Sequence, residues 1–406
     1  MIAALKRRIG AYDQTLAAAA LMLALFGFVL SMAASPAATA KIGYDDAFDF
    51  TWRHVGFLLA GTALFAGAAS LSPVGVRRFA GVTYLVCLVL LLLVPFIGVE
   101  TKGATRWLRV GAATIQPSEF LKPALVVLMA WMLSERMKQP HFPGVKVSAG
   151  LFGVAALLLL IQPDVGQTTL LAMCFGVLLF AAGVSWVWLA SGLAGAGIFG
   201  FALYHLFPHV KARIDALAPG ATSYQVGRAL DAISAGGALG RGPGEGVYKR
   251  TLPDAHSDFI YSVSAEEFGL LASVGIIALY GAIAWRGLSR AGRLADPFAQ
   301  LAALGLITLF TLQAAIHIAV NLGVAPAKGM TLPLVSYGGS SMLASAITLG
   351  MAAAAWAASS ACAQATIGTL PGSCSATSRH QSASSSPGLR SQRPCSGWRT
   401  MTRCGW

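Results

Sequence analysis

A chain of 406 residues that is 56% hydrophobic and only 11% charged is not a soluble globular protein, since such domains carry roughly 25% charged residues. With a mean hydropathy of +0.67 it reads as a polytopic membrane protein. The formal charge of +13 does not point to nucleic acid. No basic motif interleaved with aromatics and no nucleic-acid-binding fold pattern accompanies it, and anionic lipid headgroups suit a basic membrane protein better.

A spanning helix takes about 20 apolar residues. In chain order the candidates are residues 15–34, 54–71, 79–97, 120–133, 147–161, 165–183, 186–204, 265–285, 300–320 and 337–358, ten in all. The fourth and fifth are short. The unbroken apolar stretch 165–204 is long enough for two helices joined by a tight turn near Gly183-Val184-Ser185. The first segment reads as a retained helix, because Ala33-Ala34-Ser35 only weakly echoes a cleavage site and more spans follow. None of the six cysteines pairs as C-x-x-C, so neither a disulfide framework nor a zinc site is expected. The expected fold is all-α, with ten transmembrane helices in residues 1–359 and a large extracytoplasmic loop, 205–264, between helices 7 and 8.

Orientation follows from Lys and Arg in the short loops. Lys6, Arg7 and Arg8 precede the first span, Arg77 and Arg78 follow the second, Arg136, Lys138 and Lys146 the fourth, and Arg286, Arg290 and Arg293 the eighth. With ten spans all fall on one side, which places both termini in the cytoplasm. Lys102, Arg106, Arg109, Lys211, Arg213, Arg228, Arg241, Lys249, Arg250 and Lys328 then lie outside. A long loop is translocated whatever its charge; an anionic substrate handled at the outer face is the other reading, and charge alone weighs the two evenly.

The polar segments carry the chemistry. An outer insert starts near Val99 and includes KGATRWLRVGAATIQPSEFLK at 102–122. Trp107, between Arg106 and Arg109, suits an interfacial anchor. Ser118 fits an N-cap with Glu119 in the first turn. Lys122 shares a helix face with Glu119 and either pairs with it or projects into a polar cavity. Asp164 reads as the N-cap of the sixth span. The run AGGALGRGPGEG at 235–246 has the composition of a flexible linker; its backbone could also cradle a phosphate, although no G-K-[ST] closes it as in a P-loop.

The segment KRTLPDAHSDFIYSVSAEEFG at 249–269 crowds acids, bases and a histidine at the membrane surface. Charge near lipid is costly, so such a cluster is a functional candidate. Glu266 and Glu267 suit first-turn acids. Asp258 precedes Phe259-Ile260-Tyr261, which holds a carboxylate against apolar surface beside Lys249 and Arg250 and suits a general base. His256 reads as its hydrogen-bonding neighbour. In the ninth span Gln313 and His317, with Asn321 just past its end, share one face at i, i+4 and i+8. Interhelical hydrogen bonding fits Gln313, and Asn321 stays open between that role and lining a cavity. KGMTLPLVSYGGSS at 328–341 leads into the last span, where Gly338-Gly339 permit a close approach.

Together these runs resemble the SEDS family (shape, elongation, division, sporulation) of bacterial cell-wall proteins. RWL at 106–108, QPSEFLK at 116–122, QPDVGQ at 162–167, the Gly-rich run, LPDAHSDFIYSVSAEEFG at 252–269 and KGMTLPLVSYGGSS at 328–341 follow the family's order to about Ala358. Lys249-Arg250 before LPDAHSDF, and KGMTLP before SYGGSS, look more like the division branch than the elongation branch. The resemblance implies a peptidoglycan glycosyltransferase that polymerises lipid II, a disaccharide-pentapeptide on undecaprenyl pyrophosphate, at the outer face of the inner membrane. It also implies work at the septum beside a class B penicillin-binding protein and other divisome membrane proteins. The family's essential aspartate falls on Asp258, its tryptophan after the third span on Trp107, and its Q-P-S-E lysine on Lys122.

An α-linked pyrophosphate donor and a β-linked product imply inversion with one base, Asp258, on the acceptor's 4-hydroxyl. The leaving pyrophosphate needs cations more than a proton. Lys122, Arg213, Lys249, Arg250 and Lys328 are the candidates, joined by a divalent cation (Mg or Mn), while His256 and Asn321 are candidate substrate neighbours. Ser257 stands where the family usually has Thr, and Asp254 where it often has Glu. Residues 360–406, rich in Ser, Arg, Cys and Trp with no Lys and no acid, depart from the family's short basic tail and read as disordered or aberrant. Two other readings fit ten helices. A lipid II flippase needs polar groups through the midplane, and a non-catalytic scaffold predicts that Asp258→Asn leaves function intact.

Overall fold

The computed structural model of the protein describes residues 14–43, 45–101, 104–111, 113–206, 211, 215, 224–326 and 329–368. The described chain is mostly helical. The helices are α1 (Gln14–Ile42), α2 (Asp49–Ala69), α3 (Pro73–Ile97), α4 (Pro117–Lys138), α5 (Gly144–Ile161), α6 (Val165–Ala181), α7 (Trp186–Leu206), α8 (Tyr224–Gly236), α9 (Ile260–Ala291), α10 (Pro297–Asn321) and α11 (Gly339–Gly368). Each predicted span overlaps one of them, and α8 is additional. Among the described residues six helices, α1, α3, α5, α9, α10 and α11, are long and apolar enough to cross a membrane, and α6 is a shorter apolar helix. The protein is a multi-pass membrane protein. Of the expected tail, 369–406 lies outside the described residues; α11 continues to Gly368.

Local chemistry sets the boundaries. Ser72 caps α3 by accepting from the Gly75 N–H at 3.1 Å, with Pro73 in the first turn. Asp296 does the same for α10 ahead of Pro297, accepting from Ala299 at 2.9 Å. Asp164 caps α6 as expected, through the Gln167 N–H. Gly183, at φ 65, makes the α6–α7 turn. Ser118 is not a cap: α4 starts at Pro117, with Gln116 as its N-cap residue and no side-chain cap bond, because the proline already sets the helical φ.

Helices α4, α10 and α11 form the centre, enclosed on most faces. Peripheral helices show two faces. On α3, Val76, Ala80, Tyr84, Cys87 and Leu91 are buried while Val82, Leu85, Val89 and Phe96 are exposed, the pattern of a helix between protein and lipid.

Two departures from the expected architecture position the site. The outer insert is not helical. It forms an antiparallel sheet of β1 (Val99–Thr101), β2 (Ala104–Val110) and β3 (Ala113–Ile115) in the order β1-β2-β3, with Val99 opposite Trp107 and Leu108 opposite Ile115. Its β-branched and aromatic residues Thr105, Trp107, Val110, Thr114 and Ile115 suit strands. The second departure is the Gly-rich run, which is neither a linker nor a phosphate cradle. Helix α9 breaks at Gly269 (φ 77), and the run docks into the break. Leu270 and Leu271 donate to the carbonyls of Gly237 and Ala238 at 2.9 and 3.3 Å, while Arg241 and Gly242 donate to those of Glu266 and Glu267, both at 3.0 Å.

Candidate active site

Helix α9 starts at Ile260, so Asp258 stands two residues before it, with Phe259 as the N-cap residue. The preceding loop turns on Asp254, a non-glycine residue at φ 52. The Asp254 carbonyl accepts from the N–H groups of Ser257 and Asp258, both at 3.0 Å, and of Phe259 at 3.3 Å. Asp258 is half-buried. Its carboxylate lies against the backbone of Gly329, where an added Cβ would stand 3.0 Å from Oδ2.

Three consecutive carbonyls of this loop are held from other elements. His256 accepts from the Tyr337 N–H at 3.0 Å, Ser257 from the Ser336 hydroxyl at 2.6 Å, and Asp258 from the Asn321 amide at 3.2 Å. Asn321 is fully buried. Its amide also donates to the His317 carbonyl at 2.9 Å, and its Oδ1 accepts from the Ser262 N–H and hydroxyl at 3.2 and 2.7 Å. All its side-chain hydrogen-bonding groups are engaged within the protein, so Asn321 braces the loop. The His256 ring stacks on Phe50, centroids 4.7 Å apart, with the Tyr337 ring 5.6 Å away. The ring thus packs against Tyr337 and the start of α2.

A buried polar seam backs this loop. Lys122 is 2% exposed. Its Nζ lies 2.9 Å from Glu119 and donates to Gln313 at 2.8 Å. Glu119 in turn accepts from Gln167 at 2.8 Å. Of the two readings left open, pairing with Glu119 is the one observed. Gln313 donates to the Thr331 carbonyl at 3.1 Å, and His317 Nδ1 meets the Met330 carbonyl at 2.7 Å. The stripe Gln313, His317, Asn321 therefore grips the 330–331 segment and the Asp258 loop. At the edge of the seam, burial pushes the Asp164 carboxyl above the usual carboxylate range, against the pull of nearby Arg106 and the Gln167 N–H. Arg106 itself donates to the carbonyls of Gln162 and Pro163 at 3.1 and 2.7 Å, tying the sheet to the α5–α6 turn.

Lys249 and Arg250, neighbours in sequence, have different fates. Lys249 is 4% exposed. Its ammonium donates to the Glu267 carboxylate and to the carbonyls of Ala33 and Gly244 at 2.9 Å each, which uses all three donors. Glu266 accepts from the N–H groups of Val247, Tyr248 and Lys249 at 2.6, 2.7 and 3.0 Å, capping a 3-10 turn over Tyr248–Arg250. The glutamates are thus not first-turn acids; they fasten the Gly-rich loop. Arg250 is exposed. It lies on the rim of a groove of about 750 Å³ whose apolar wall includes Met32, Pro36 and Ala37 of α1 and Phe48.

The structure brings together Asp258, His256 and Asn321, and sets Lys249 and Arg250 at the groove. Lys122 lies in the seam, and Trp107 sits half-buried on β2. Arg213 and Lys328 lie outside the described residues. Among the described residues, no three His, Cys, Asp or Glu side chains converge in a way suited to a metal ion. Reasoning from sequence missed Ser336, Tyr337, Phe50 and Ser262. Only the S-Y-G-G run offered a signal for the first two, and it reads more simply as a helix start.

A profile of the cell cycle protein family of FtsW, RodA and SpoVE matches residues 13–360. The chain is 50% identical over 345 residues to the probable peptidoglycan glycosyltransferase FtsW of Caulobacter vibrioides, covering 84% of this chain and 88% of that one. It is 34% identical over 359 residues to the protein of the same description from Trichlorobacter lovleyi, covering 85% and 93%. Among solved structures it is similar to a chain from a peptidoglycan synthase complex that coordinates polymerization and crosslinking, with TM-score 0.71 and 29% identity over 85% of this chain and 97% of that one. It is also similar to the rod shape determining protein RodA of Thermus thermophilus, with TM-score 0.64 and 29% identity over 85% and 96%.

Proposed function

We infer that this chain, which belongs to the cell cycle protein family of FtsW, RodA and SpoVE, is a peptidoglycan glycosyltransferase that polymerises lipid II with Asp258 as its base. The carrying observation is the contrast among the acids at one end of the bundle. Glu119, Glu266 and Glu267 are enclosed, whereas Asp258 is half-exposed on a loop whose backbone is braced from other elements.

In the reaction the acceptor's 4-hydroxyl oxygen attacks the anomeric carbon of the donor. The bond from that carbon to the pyrophosphate oxygen breaks, and the hydroxyl proton passes to Asp258. Attack opposite the leaving group inverts the anomeric centre, so one base suffices. Undecaprenyl pyrophosphate leaves with negative charge, which needs a nearby cation. Arg250 is the exposed cation at the rim of the α1 groove, and the groove's apolar wall suits a polyprenyl chain. The start of α2 links groove and base, since Phe48 lines the first and Phe50 stacks on His256 beside the second. A divalent cation, Mg or Mn, enters the proposal only as a companion of the pyrophosphate, because substrate phosphates with one or two carboxylates are an ordinary ligand set for it.

The proposal also places the enzyme in the bacterial inner membrane at the septum. Its ten crossings leave both termini cytoplasmic and the 205–264 loop outside, beside a class B penicillin-binding protein and other divisome proteins. The similarity to a synthase complex that couples polymerization to crosslinking supports that partner.

The test is glycan-strand synthesis from purified lipid II by the protein with its class B partner, comparing wild type and Asp258→Asn at equal folded amounts. Polymer from wild type alone is expected. Equal polymer from both removes Asp258 as the base, and polymer from neither, with partner binding intact, turns the reading to a flippase or scaffold.

A further inference from the structure

The two peptide units flanking the Cα of Asp258 are each held by a side chain from elsewhere. The Ser257 carbonyl belongs to the unit before that Cα and accepts from Ser336 at 2.6 Å. The Asp258 carbonyl belongs to the unit after it and accepts from Asn321 at 3.2 Å. Fixing both planes fixes φ and ψ at Asp258, and with them the direction in which its Cβ leaves the backbone.

We propose that Ser336 is a positioning residue for glycosyl transfer, whose hydroxyl aims the Asp258 carboxylate by holding the Ser257 carbonyl. The proposal rests on the reading of Asp258 as the base. The direction of the bond is forced. The Ser336 oxygen already accepts the Leu332 N–H at 2.8 Å, so its one proton is left for Ser257. Ser336 itself is buried, so its hydroxyl is held between these two backbone groups.

Strain points to the same contact. Among the described residues, the only non-glycine residues with positive φ are Asp254 at 52° and Leu334 at 64°. One lies in the Asp258 loop and the other in the 332–336 turn that faces it, where Ser336 and Val335 donate to the Leu332 carbonyl at 2.9 and 3.1 Å. A left-handed leucine persists only where its surroundings over-determine it. The Ser336 hydroxyl joins the two strained turns directly, so deleting it lets both relax and swings the carboxylate.

The test uses the full-length protein with its class B partner and purified lipid II, comparing wild type, Asp258→Asn, Ser336→Ala, Ser336→Thr and Ser336→Cys per folded molecule. A displacement on the order of 1 Å costs about 100-fold in rate, so Ser336→Ala should lose about 10- to 100-fold in kcat, with KM for lipid II unchanged. Ser336→Thr keeps the hydroxyl and should recover most of the loss. A residue that serves stability alone would lower the folded yield and leave kcat per folded molecule at the wild-type value, which would overturn the proposal; so would a rise in KM with kcat intact. If Ser336→Ala does not fold, Ser336→Cys, with similar volume and a poorer donor, is read on the same scale. A lowered kcat supports the proposal and a wild-type kcat overturns it. Failure of wild type to polymerise, or activity in Asp258→Asn, removes the underlying reading and the proposal with it. Those two controls behaving as expected while Ser336→Ala matches wild type defeats the positioning role alone.

Discussion

Lys122 and Glu119 face each other one turn apart on α4, 2.9 Å between charged atoms, with Gln313 and Gln167 completing their hydrogen bonds. A buried pair of this kind adds little net stability, yet removing one partner costs about 3–5 kcal/mol because the other is left charged and unpaired. Lys122→Met is therefore expected to lower the thermal midpoint in detergent strongly. Lys122→Met combined with Glu119→Gln should recover much of that loss, since no lone charge remains. The measurement is a double-mutant cycle by thermal unfolding, and simply additive losses would mean that the two side chains are not coupled. The same contrast of burial separates Lys249 from Arg250. Adjacent cations look equivalent in sequence, but one has its three donors engaged inside the protein and the other faces the groove.

Between elements, the docking of the Gly-rich run on α9 depends on which of its glycines faces the helix backbone. A Cβ on Gly236 would overlap the Ala265 carbonyl, whereas one on neighbouring Gly237 meets open space. Gly236→Ala should therefore cost more than the roughly 1–3 kcal/mol of ordinary overpacking, because the obstacle is backbone and cannot rotate away. Gly237, at φ 57, should cost only the roughly 1–2 kcal/mol of a left-handed alanine. Thermal unfolding of the two variants checks the order, and equal losses would mean that the run does not dock as described. Composition concealed this arrangement because the partners of the run's N–H groups are carbonyls of α9, some 25 residues on in the chain, and a carbonyl leaves no trace in residue identity. The Ser336 contact was hidden for the same reason. Helix positions were legible, since lipid demands continuous apolar helices, and so was the stripe Gln313, His317, Asn321, because a helical period is written in side chains. The small sheet was legible only in principle. Its strands are short and carry no regular apolar–polar alternation, so a helix-dominated composition outweighed their β-branched and aromatic residues.

Across the whole molecule, contacts between distant segments sort helix ends into two groups. Arg286 donates to Thr15 at 3.2 Å, the Arg290 guanidinium lies 5.7 Å from the Trp356 ring, Arg77 lies 4.1 Å from the Phe298 ring, and Lys138 approaches Asp296 at 3.6 Å. These join the start of α1, the start of α3, the end of α4, the end of α9, the start of α10 and the later part of α11. The opposite group joins Ala33 to Lys249, Phe50 to His256, Arg106 to Gln162, Gln116 to Ser340 and Asn321 to Asp258. For α1, α4, α9, α10 and α11 the two ends fall in opposite groups, as a single crossing of each requires. Among the described residues Arg77, Lys138, Arg286 and Arg290 of the short loops belong to the first group, so the proposed orientation puts that group in the cytoplasm. In a cysteine-free background, Glu245→Cys and Thr251→Cys should react with an impermeant maleimide on intact spheroplasts, whereas His141→Cys and Ser185→Cys should react only after permeabilisation. Ser185 is the sharpest of these, because it lies in the turn between α6 and α7 and no basic residue there biases its side. Its labelling from outside would dissolve the α6–α7 pair and the count of ten, while labelling of Glu245 only from inside would invert the molecule and carry Asp258 away from the face where its substrate must be.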